Sequence, residues 1–164
     1  RQKKILLLGA GGAAKGVIGP LLESAPAKLI IANRTASKAI ELAKKMHLSG
    51  NVSGMGLDEI PKEPVDLIIN ASSVGLTGDS LSLPEGIVST QTWCYDLMYG
   101  AKKMPFLNWA QQYHPAKCLD GLGMLVEQAA CAFYLWRGVY PETQSVIQLL
   151  RQTTTGDNRE STVI

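Results

Sequence analysis

A glycine-rich turn between an apolar run and a helical pattern constrains this chain more than any other feature of its sequence. The apolar run Ile5–Leu8 is typical of a strand that is buried on both faces of a parallel sheet. From Ala13 to about Ser24, apolar residues recur at helical spacing. The turn that joins the two segments reads Gly9-Ala10-Gly11-Gly12-Ala13-Ala14. This stretch therefore predicts a strand, a tight turn and a helix in immediate succession.

The turn fits the pattern G-x-G-x-x-[GA], and each small residue has a physical task. Gly9 permits the tight bend, and Gly11 lets backbone N–H groups approach a pyrophosphate. The small third residue, Ala14, allows the helix to pack closely on the strand. Because a helix N-terminus carries partial positive charge, the turn predicts a bound dinucleotide.

A phosphate-binding loop of the ATPase type is the alternative for the same residues. The segment from Gly9 to Gly16 approaches the pattern G-x-x-x-x-G-K-[ST], and Lys15 stands where that pattern has its lysine. However, Ala14 replaces the second glycine and Gly16 replaces the hydroxyl that binds magnesium. The sequence therefore disfavours an ATPase.

Strand and helix patterns alternate along the rest of the chain. Further strands are predicted at Leu29–Ala32, Asn51–Met55, Val65–Asn70, Trp93–Leu97 and Lys117–Leu119, and further helices at Ala36–Met46 and Phe106–Gln112. This rhythm predicts an α/β fold with a doubly wound parallel sheet, the three-layer Rossmann-type arrangement. We expect one domain over residues 1–152 and a disordered polar tail over residues 153–164.

Charge and cysteine content limit the partners and the compartment. With 16 basic and 14 acidic side chains, the chain lacks the broad positive field that nucleic-acid binding needs. Its apolar stretches are far shorter than the ~20 residues of a membrane-spanning helix. Cys94, Cys118 and Cys131 are an odd set without a C-x-x-C pair, which favours reduced thiols over disulfides or a metal site. We therefore expect a cytoplasmic protein with no nucleic-acid, membrane or metal partner.

The end of the second predicted strand indicates which dinucleotide is bound. NAD sites usually place Asp or Glu there, because its carboxylate accepts hydrogen bonds from the ribose 2′-OH. This chain instead has Asn33, Arg34 and Thr35, with Lys38 one helical turn after Arg34. Two cations and a hydroxyl suit a 2′-phosphate, which a carboxylate would repel. The sequence therefore predicts NADP(H).

Six sequence strings in this order resemble the shikimate dehydrogenase family. They are GAGGAA, NRT followed three residues later by a lysine, NASSVGL, YDLMYG, PFL and DGLGMLVEQAA, and they run from about residue 3 to 150. The resemblance implies NADPH-dependent reduction of 3-dehydroshikimate to shikimate by hydride transfer. It also implies that the family's catalytic lysine and aspartate belong to a preceding substrate-binding domain, so that this chain holds no catalytic residue and is inactive alone.

The same resemblance assigns roles to individual residues. It implies that Gly9, Ala10, Gly11, Gly12 and Ala13 line the pyrophosphate, and that Asn33, Arg34, Thr35 and Lys38 hold the adenosine end. It places Leu97 and Gly121 near the nicotinamide, and Tyr99 and Gln128 at the small-molecule substrate. Leu97 departs from the methionine that is usual in the family, and we expect little loss from this packing change.

The helical pattern after Gly123 has two apolar stripes. One stripe comprises Leu122, Leu125, Val126, Ala129, Phe133 and Trp136, and the other comprises Met124, Cys131 and Leu135 beside Gln128. Two apolar faces need two partners. We therefore expect the first stripe to pack on the sheet and the second to meet the preceding domain.

Two other functions remain possible from the residues alone. A glutamyl-tRNA reductase also has the glycine turn followed by NRT, although the DGLGMLVEQAA string and the Tyr99 segment count against it. A non-catalytic module that senses NADP is the second alternative.

His47 and His114 lie at a helix end and in a turn, positions that are typical of capping or exposed histidines.

Overall fold

The computed structural model describes residues 2–46, 50–72, 83–100 and 104–156. The chain divides into two compact units, residues 1–120 and 121–164. The elements of the first unit are β1 (Lys4–Leu8), α1 (Gly12–Glu23), β2 (Lys28–Asn33), α2 (Ala36–Met46), β3 (Val52–Gly56), β4 (Leu67–Asn70), β5 (Trp93–Asp96), α3 (Pro105–Gln111) and β6 (Lys117–Leu119). The second unit contains α4 (Leu122–Arg137) and α5 (Gln144–Gly156).

The six strands of the first unit form one parallel sheet in the order β3-β2-β1-β4-β5-β6. From β1 the chain moves outward to β2 and β3, and then returns to the other side of β1 to add β4, β5 and β6. This reversal is the doubly wound arrangement, so the predicted fold class is confirmed. The predicted elements of this unit agree with the observed bounds to within two residues.

Alternate residues of the central strands enter two different cores. Leu6 and Leu8 of β1 belong to the core that also contains Phe106 of α3. Leu7 belongs to the core on the opposite face, with Ile18 of α1 and Leu42 of α2. Because both faces of the sheet are covered, the unit has three layers, and its strands are continuous apolar runs rather than alternating ones.

A glycine sets how closely α2 approaches the sheet. A Cβ atom added to Gly54 of β3 would overlap the backbone of Ala39 and Ile40 in α2. Only a residue without a side chain permits this approach. The contact fixes α2, and with it the residues at the start of that helix, against the edge of the sheet.

Helix α5 differs from the sequence-based prediction. Its start is capped by Glu142, whose carboxylate accepts hydrogen bonds from the backbone N–H groups of Gln144 at 2.6 Å and Ser145 at 2.9 Å. The helix continues to Gly156, so residues 153–156, predicted as the start of a disordered tail, are helical. There the Thr153 hydroxyl donates back to the carbonyls of Leu149 and Leu150. Residues 157–164 of the predicted tail lie outside the described residues.

In the part of the chain that the structure describes, no helix has the length and apolar character needed to cross a membrane.

Candidate nucleotide-binding site

The carboxyl ends of the parallel strands meet at one edge of the sheet. At this edge β1 and β4 are neighbours. The strand that follows β1 in the chain, β2, lies on one side of this pair, and the strand that follows β4, β5, lies on the other. Such a reversal opens a crevice in which ligands of doubly wound sheets bind. The residues after β1, β2, β4 and β5 are therefore the candidates for a site.

Gly9 makes the bend directly after β1, and two features require a glycine there. Its φ angle is +107°, which side-chain-bearing residues rarely adopt. A Cβ atom added to it would also lie 2.9 Å from the carbonyl oxygen of Ala71 and 3.1 Å from the amide nitrogen of Ser72. The Gly9 N–H donates to the carbonyl of Ala32 at 2.7 Å. The bend is thus held against both neighbouring strands.

The N-terminus of α1 opens toward this crevice without a side-chain cap. Gly11 takes the N-cap position in an extended conformation, and the first turn contains no acidic residue. Nothing lies within 4 Å of a Cβ atom added to Gly11 or Gly12, and Ala13 is also exposed. Because the first N–H groups of a helix lack internal partners, this open end can accept an anion. The geometry fits a pyrophosphate group.

The end of β2 carries the predicted cation cluster. The Asn33 side-chain amide donates to the carbonyl of Thr35 at 3.0 Å, and the N–H of Lys38 donates to the same carbonyl at 3.1 Å. These bonds fold the chain around Thr35 at the start of α2. The side chains of Arg34, Thr35 and Lys38 are exposed, and no carboxylate ends β2. The fold therefore leaves both cations open to solvent beside the glycine turn.

A buried polar pair joins the ends of β4 and β5. Asn70 and Asp96 are 2% and 3% exposed, and the Asn70 amide donates to Oδ1 of Asp96 at 3.2 Å. The same Oδ1 accepts the N–H of Met98 at 3.0 Å, while Oδ1 of Asn70 accepts the hydroxyl of Ser72 at 2.6 Å. Burial raises the pKa of Asp96, although its hydrogen bonds with Met98 and Asn70 act in the opposite direction.

The sequence did not assign Asp96 a role, and the structure shows that it shapes the loop after β5. An acidic residue at the end of an otherwise apolar strand is the signal that could have identified it. Ser73, which follows this pair in the NASSVGL string, lies outside the described residues.

Leu97 and Tyr99 follow Asp96 at the same edge. The N–H of Leu97 donates to the carbonyl of Asn70 at 2.9 Å. The Leu97 side chain packs against the core that lies between the sheet and helices α1 and α2. Tyr99 is 45% exposed. The structure therefore brings both residues to the carboxyl end of β5, as the sequence predicts.

Gly121 and Gln128 belong to the second unit. Gly121 precedes α4 as its N-cap, and its carbonyl accepts the N–H of Leu125 at 3.0 Å. Gln128 is exposed on the same helix.

The predicted first stripe of α4 is wrong in its C-terminal half. The buried residues are Leu122, Val126 and Ala130, which are spaced four apart. Ala129, Phe133 and Trp136 are exposed, Trp136 by 82%. Four residues make slightly more than one helical turn, so residues spaced four apart move gradually around the helix. Ala130 therefore lies outside the stripe that the sequence pattern indicates. The second stripe, Met124, Cys131 and Leu135, is exposed.

His114 does not join the site. His114 lies in the turn after α3 with a φ angle of +51°, and its N–H donates to the carbonyl of Gln111. His47 falls outside the described residues. Within those residues, no group of three or more His, Cys, Asp or Glu side chains could hold a metal ion.

Two parts of the chain match models of one protein family. Residues 1–75 match the family described as shikimate / quinate 5-dehydrogenase, and residues 121–151 match the shikimate 5′-dehydrogenase C-terminal domain. The chain belongs to the shikimate dehydrogenase family. The predicted family is therefore confirmed.

Curated relatives in this family cover most of the chain. NADP(+)-dependent shikimate dehydrogenases of Coxiella burnetii and Cellvibrio japonicus are each 51% identical to it over 150 residues, or 92% of the chain. Those residues make up 55% and 54% of the two relatives. The chain thus spans about half the length of the curated relatives that it matches.

Solved structures of similar fold extend the comparison. An Ael1 enzyme from Pseudomonas putida is 41% identical with a TM-score of 0.82, covering 92% of this chain and 55% of its own. A shikimate dehydrogenase in complex with NADP+ is 31% identical, with a TM-score of 0.75. The match covers 98% of this chain and 56% of the dehydrogenase chain. A 5-ketofructose reductase of Gluconobacter is 30% identical, with a TM-score of 0.77. The match covers 93% of this chain and 57% of the reductase chain.

Proposed function

We propose that this chain is the NADP(H)-binding half of a cytoplasmic shikimate dehydrogenase, which reversibly reduces 3-dehydroshikimate with NADPH. One observation carries the proposal: the open glycine turn after β1 and the cation cluster after β2 lie side by side at the carboxyl edge of the sheet. Relatives named shikimate dehydrogenase (NADP(+)), about half identical over 150 residues, support the substrate as well as the cofactor.

The glycine turn is proposed to hold the pyrophosphate. Backbone N–H groups of the segment from Gly9 to Ala13 would donate to its oxygens, and the open space beside Gly11 and Gly12 is what a diphosphate requires. When bound, the nicotinamide cofactor supplies the hydride that reduces the substrate ketone. The chain's own part is to bind and orient that cofactor.

The cation cluster is proposed to select NADP(H) over NAD(H). Arg34 can grip a 2′-phosphate with paired donors, while Thr35 and Lys38 add a hydroxyl and a second charge. Asn33 contributes by shaping this turn through its bond to Thr35. A neighbouring structure solved with NADP+ supports the same preference.

The residues near the reacting groups are assigned from the family resemblance. We place Leu97 and Gly121 beside the nicotinamide, and we assign Tyr99 and Gln128 to hydroxyl or carboxylate groups of the substrate. The exposure of Tyr99 and Gln128 leaves their polar ends available for a ligand. Asp96 would act indirectly, because its bond to the N–H of Met98 fixes the loop that carries Leu97 and Tyr99.

The proton that accompanies the hydride is proposed to come from the part of the full-length relatives that this chain does not span. The large apolar side chains on α4 and α5 support a further domain, since Leu135 is 80% exposed, Trp136 82% and Leu149 60%. Apolar patches of this kind usually mark an interaction surface. We propose that the substrate-binding domain covers it, and that the chain alone binds cofactor without turnover.

Calorimetric titration of the chain with NADPH and with NADH tests the cofactor assignment. We expect clear binding of NADPH and weaker binding of NADH, because only NADPH has the 2′-phosphate. Arg34→Ala should lower the affinity for NADPH by roughly 10-fold to 100-fold and leave that for NADH nearly unchanged, since a charge-assisted hydrogen bond contributes about 1.5–3 kcal/mol.

Lys62→Ala is the matched control, because Lys62 is an exposed cation on a loop outside the cluster. It should bind NADPH as the unmodified chain does. Equal affinity of a folded chain for NADPH and NADH, or an unchanged preference in Arg34→Ala, would contradict the assignment of the 2′-phosphate site.

A further inference from the structure

Two cysteines far apart in the sequence face each other across neighbouring strands. In the pairing of β5 with β6, Cys94 is in register with Cys118. Both are free thiols, and both pack in the core beneath α3. Residues in register on parallel strands project to the same face of the sheet. The fold therefore places two thiols side by side in one apolar core.

The spacing of the pair suits a bridging ion. Neighbouring strands lie about 4.7–4.9 Å apart, and side chains in register on parallel strands are separated by about the same distance. The bond between a thiolate sulfur and the closed-shell ion Zn²⁺ is about 2.3 Å long, so a linear sulfur–metal–sulfur unit with bonds of that length spans about 4.6 Å. Two thiolates in register on adjacent strands therefore have a spacing that suits a two-coordinate ion.

The surroundings select the kind of ion. Within the described residues no third His, Cys, Asp or Glu joins a possible metal group, which disfavours ions such as Zn²⁺ that require four ligands. Cys94 is completely buried, and burial together with the neighbouring Cys118 raises its pKa to about 12. A buried apolar site tolerates a neutral complex far better than a charged one. A divalent ion with two thiolates is neutral, whereas a monovalent ion with two thiolates is an anion.

We infer that Cys94 and Cys118 form a binding site for a soft, linear, divalent cation of the Hg²⁺ type. Binding replaces both thiol protons: one Hg²⁺ forms two Hg–S bonds, both S–H bonds break, and two protons pass to solvent. Neither an oxidant nor a reductant is required. Entry is from the side of Cys118, which is only half-buried on the last strand of the sheet. The bridge would fix β5 to β6 two residues before Asp96.

Titration with HgCl₂ on a Cys131→Ser background tests the site, because this substitution removes the exposed thiol of α4. We expect native mass spectrometry to show one Hg²⁺ per chain with the loss of two protons, and a sulfur-to-mercury charge-transfer band that saturates at one equivalent. Adding Cys118→Ser, or separately Cys94→Ser, should weaken binding by about 100-fold or more, because a chelate of two fixed ligands is lost. Circular dichroism checks that each variant is folded.

A second measurement needs no substitution at the pair. The Cys131→Ser chain, loaded with Hg²⁺ and then denatured with an alkylating reagent, should retain both thiols unalkylated. Equal Hg²⁺ affinity after removal of one thiol, alkylation of either cysteine in the loaded chain, an ion shared between two chains, or a disulfide formed in place of the complex would overturn the inference. None of these results depends on whether the chain binds NADPH.

Discussion

The side-chain amide of Asn70 donates a hydrogen bond to the carboxylate of Asp96 at 3.2 Å, across the ends of two adjacent strands. The two residues are 26 positions apart in the sequence, and both are almost fully buried. Through the bonds that Asp96 accepts from Met98 and that Asn70 accepts from Ser72, the pair holds the first residues after β4 and β5. The edge of the candidate site on this side is thus held by buried hydrogen bonds.

Replacing Asp96 by Ala should destabilise the chain by about 1–3 kcal/mol. The substitution leaves the N–H of Met98 and the amide of Asn70 without their acceptor, and an unsatisfied buried donor costs that much. Chemical unfolding in urea measures the change. Asp96→Asn retains an acceptor oxygen and should therefore lose less stability than Asp96→Ala. Glu85→Ala removes an exposed carboxylate and should change stability by less than about 0.5 kcal/mol. An equal loss in Asp96→Ala and Glu85→Ala would show that the pair does not stabilise the fold.

Replacing Gly9 by Ala should both weaken the fold and abolish NADPH binding. The φ angle of +107° costs a non-glycine residue about 1–3 kcal/mol, and the added methyl group would press on the backbone of Ala71. Thermal unfolding and calorimetry measure the two effects. Gly16→Ala is the matched control, because it adds a methyl group to open space inside α1 and should stabilise the helix by roughly 0.5–1 kcal/mol. Normal NADPH affinity in Gly9→Ala would contradict the role of this turn.

The stability conferred by Asp66 should depend on pH. Its carboxylate accepts hydrogen bonds from the Lys3 ammonium at 2.7 Å and from the Lys4 N–H at 2.8 Å, and these interactions lower its pKa below 3.8. A carboxyl whose pKa is lowered by folding stabilises the fold above its unfolded-state pKa, and this contribution is lost as pH falls through the folded-state pKa. Asp66→Asn should therefore be less stable than the unmodified chain at pH 7.

The difference in stability between the two chains should be constant above about pH 5 and should shrink below pH 3.8. Urea unfolding at a series of pH values measures it, and the raised pKa of Asp96 cancels because both chains contain that residue. A difference that stayed constant down to pH 2 would exclude ionisation of Asp66 as the cause.

The sequence by itself determined the features whose physical cause is local. The apolar run before Gly9, the helical pattern after it and the absence of a carboxylate after Ala32 each involve only neighbouring residues. They were sufficient to predict the parallel sheet, the glycine turn and the position of the Asn33–Lys38 cluster. The bounds of α2 were predicted correctly for the same reason, since its apolar spacing is continuous.

Only the tertiary structure decided which distant residues meet. The bond between Asn70 and Asp96 and the pairing of Cys94 with Cys118 require particular strands to be neighbours in register. The sequence likewise did not show which residues of α4 are buried. Two apolar stripes lie on this helix, and the burial of Leu122, Val126 and Ala130 depends on packing. Periodicity in a sequence records which faces are apolar, whereas strand order and helix packing decide what each face contacts.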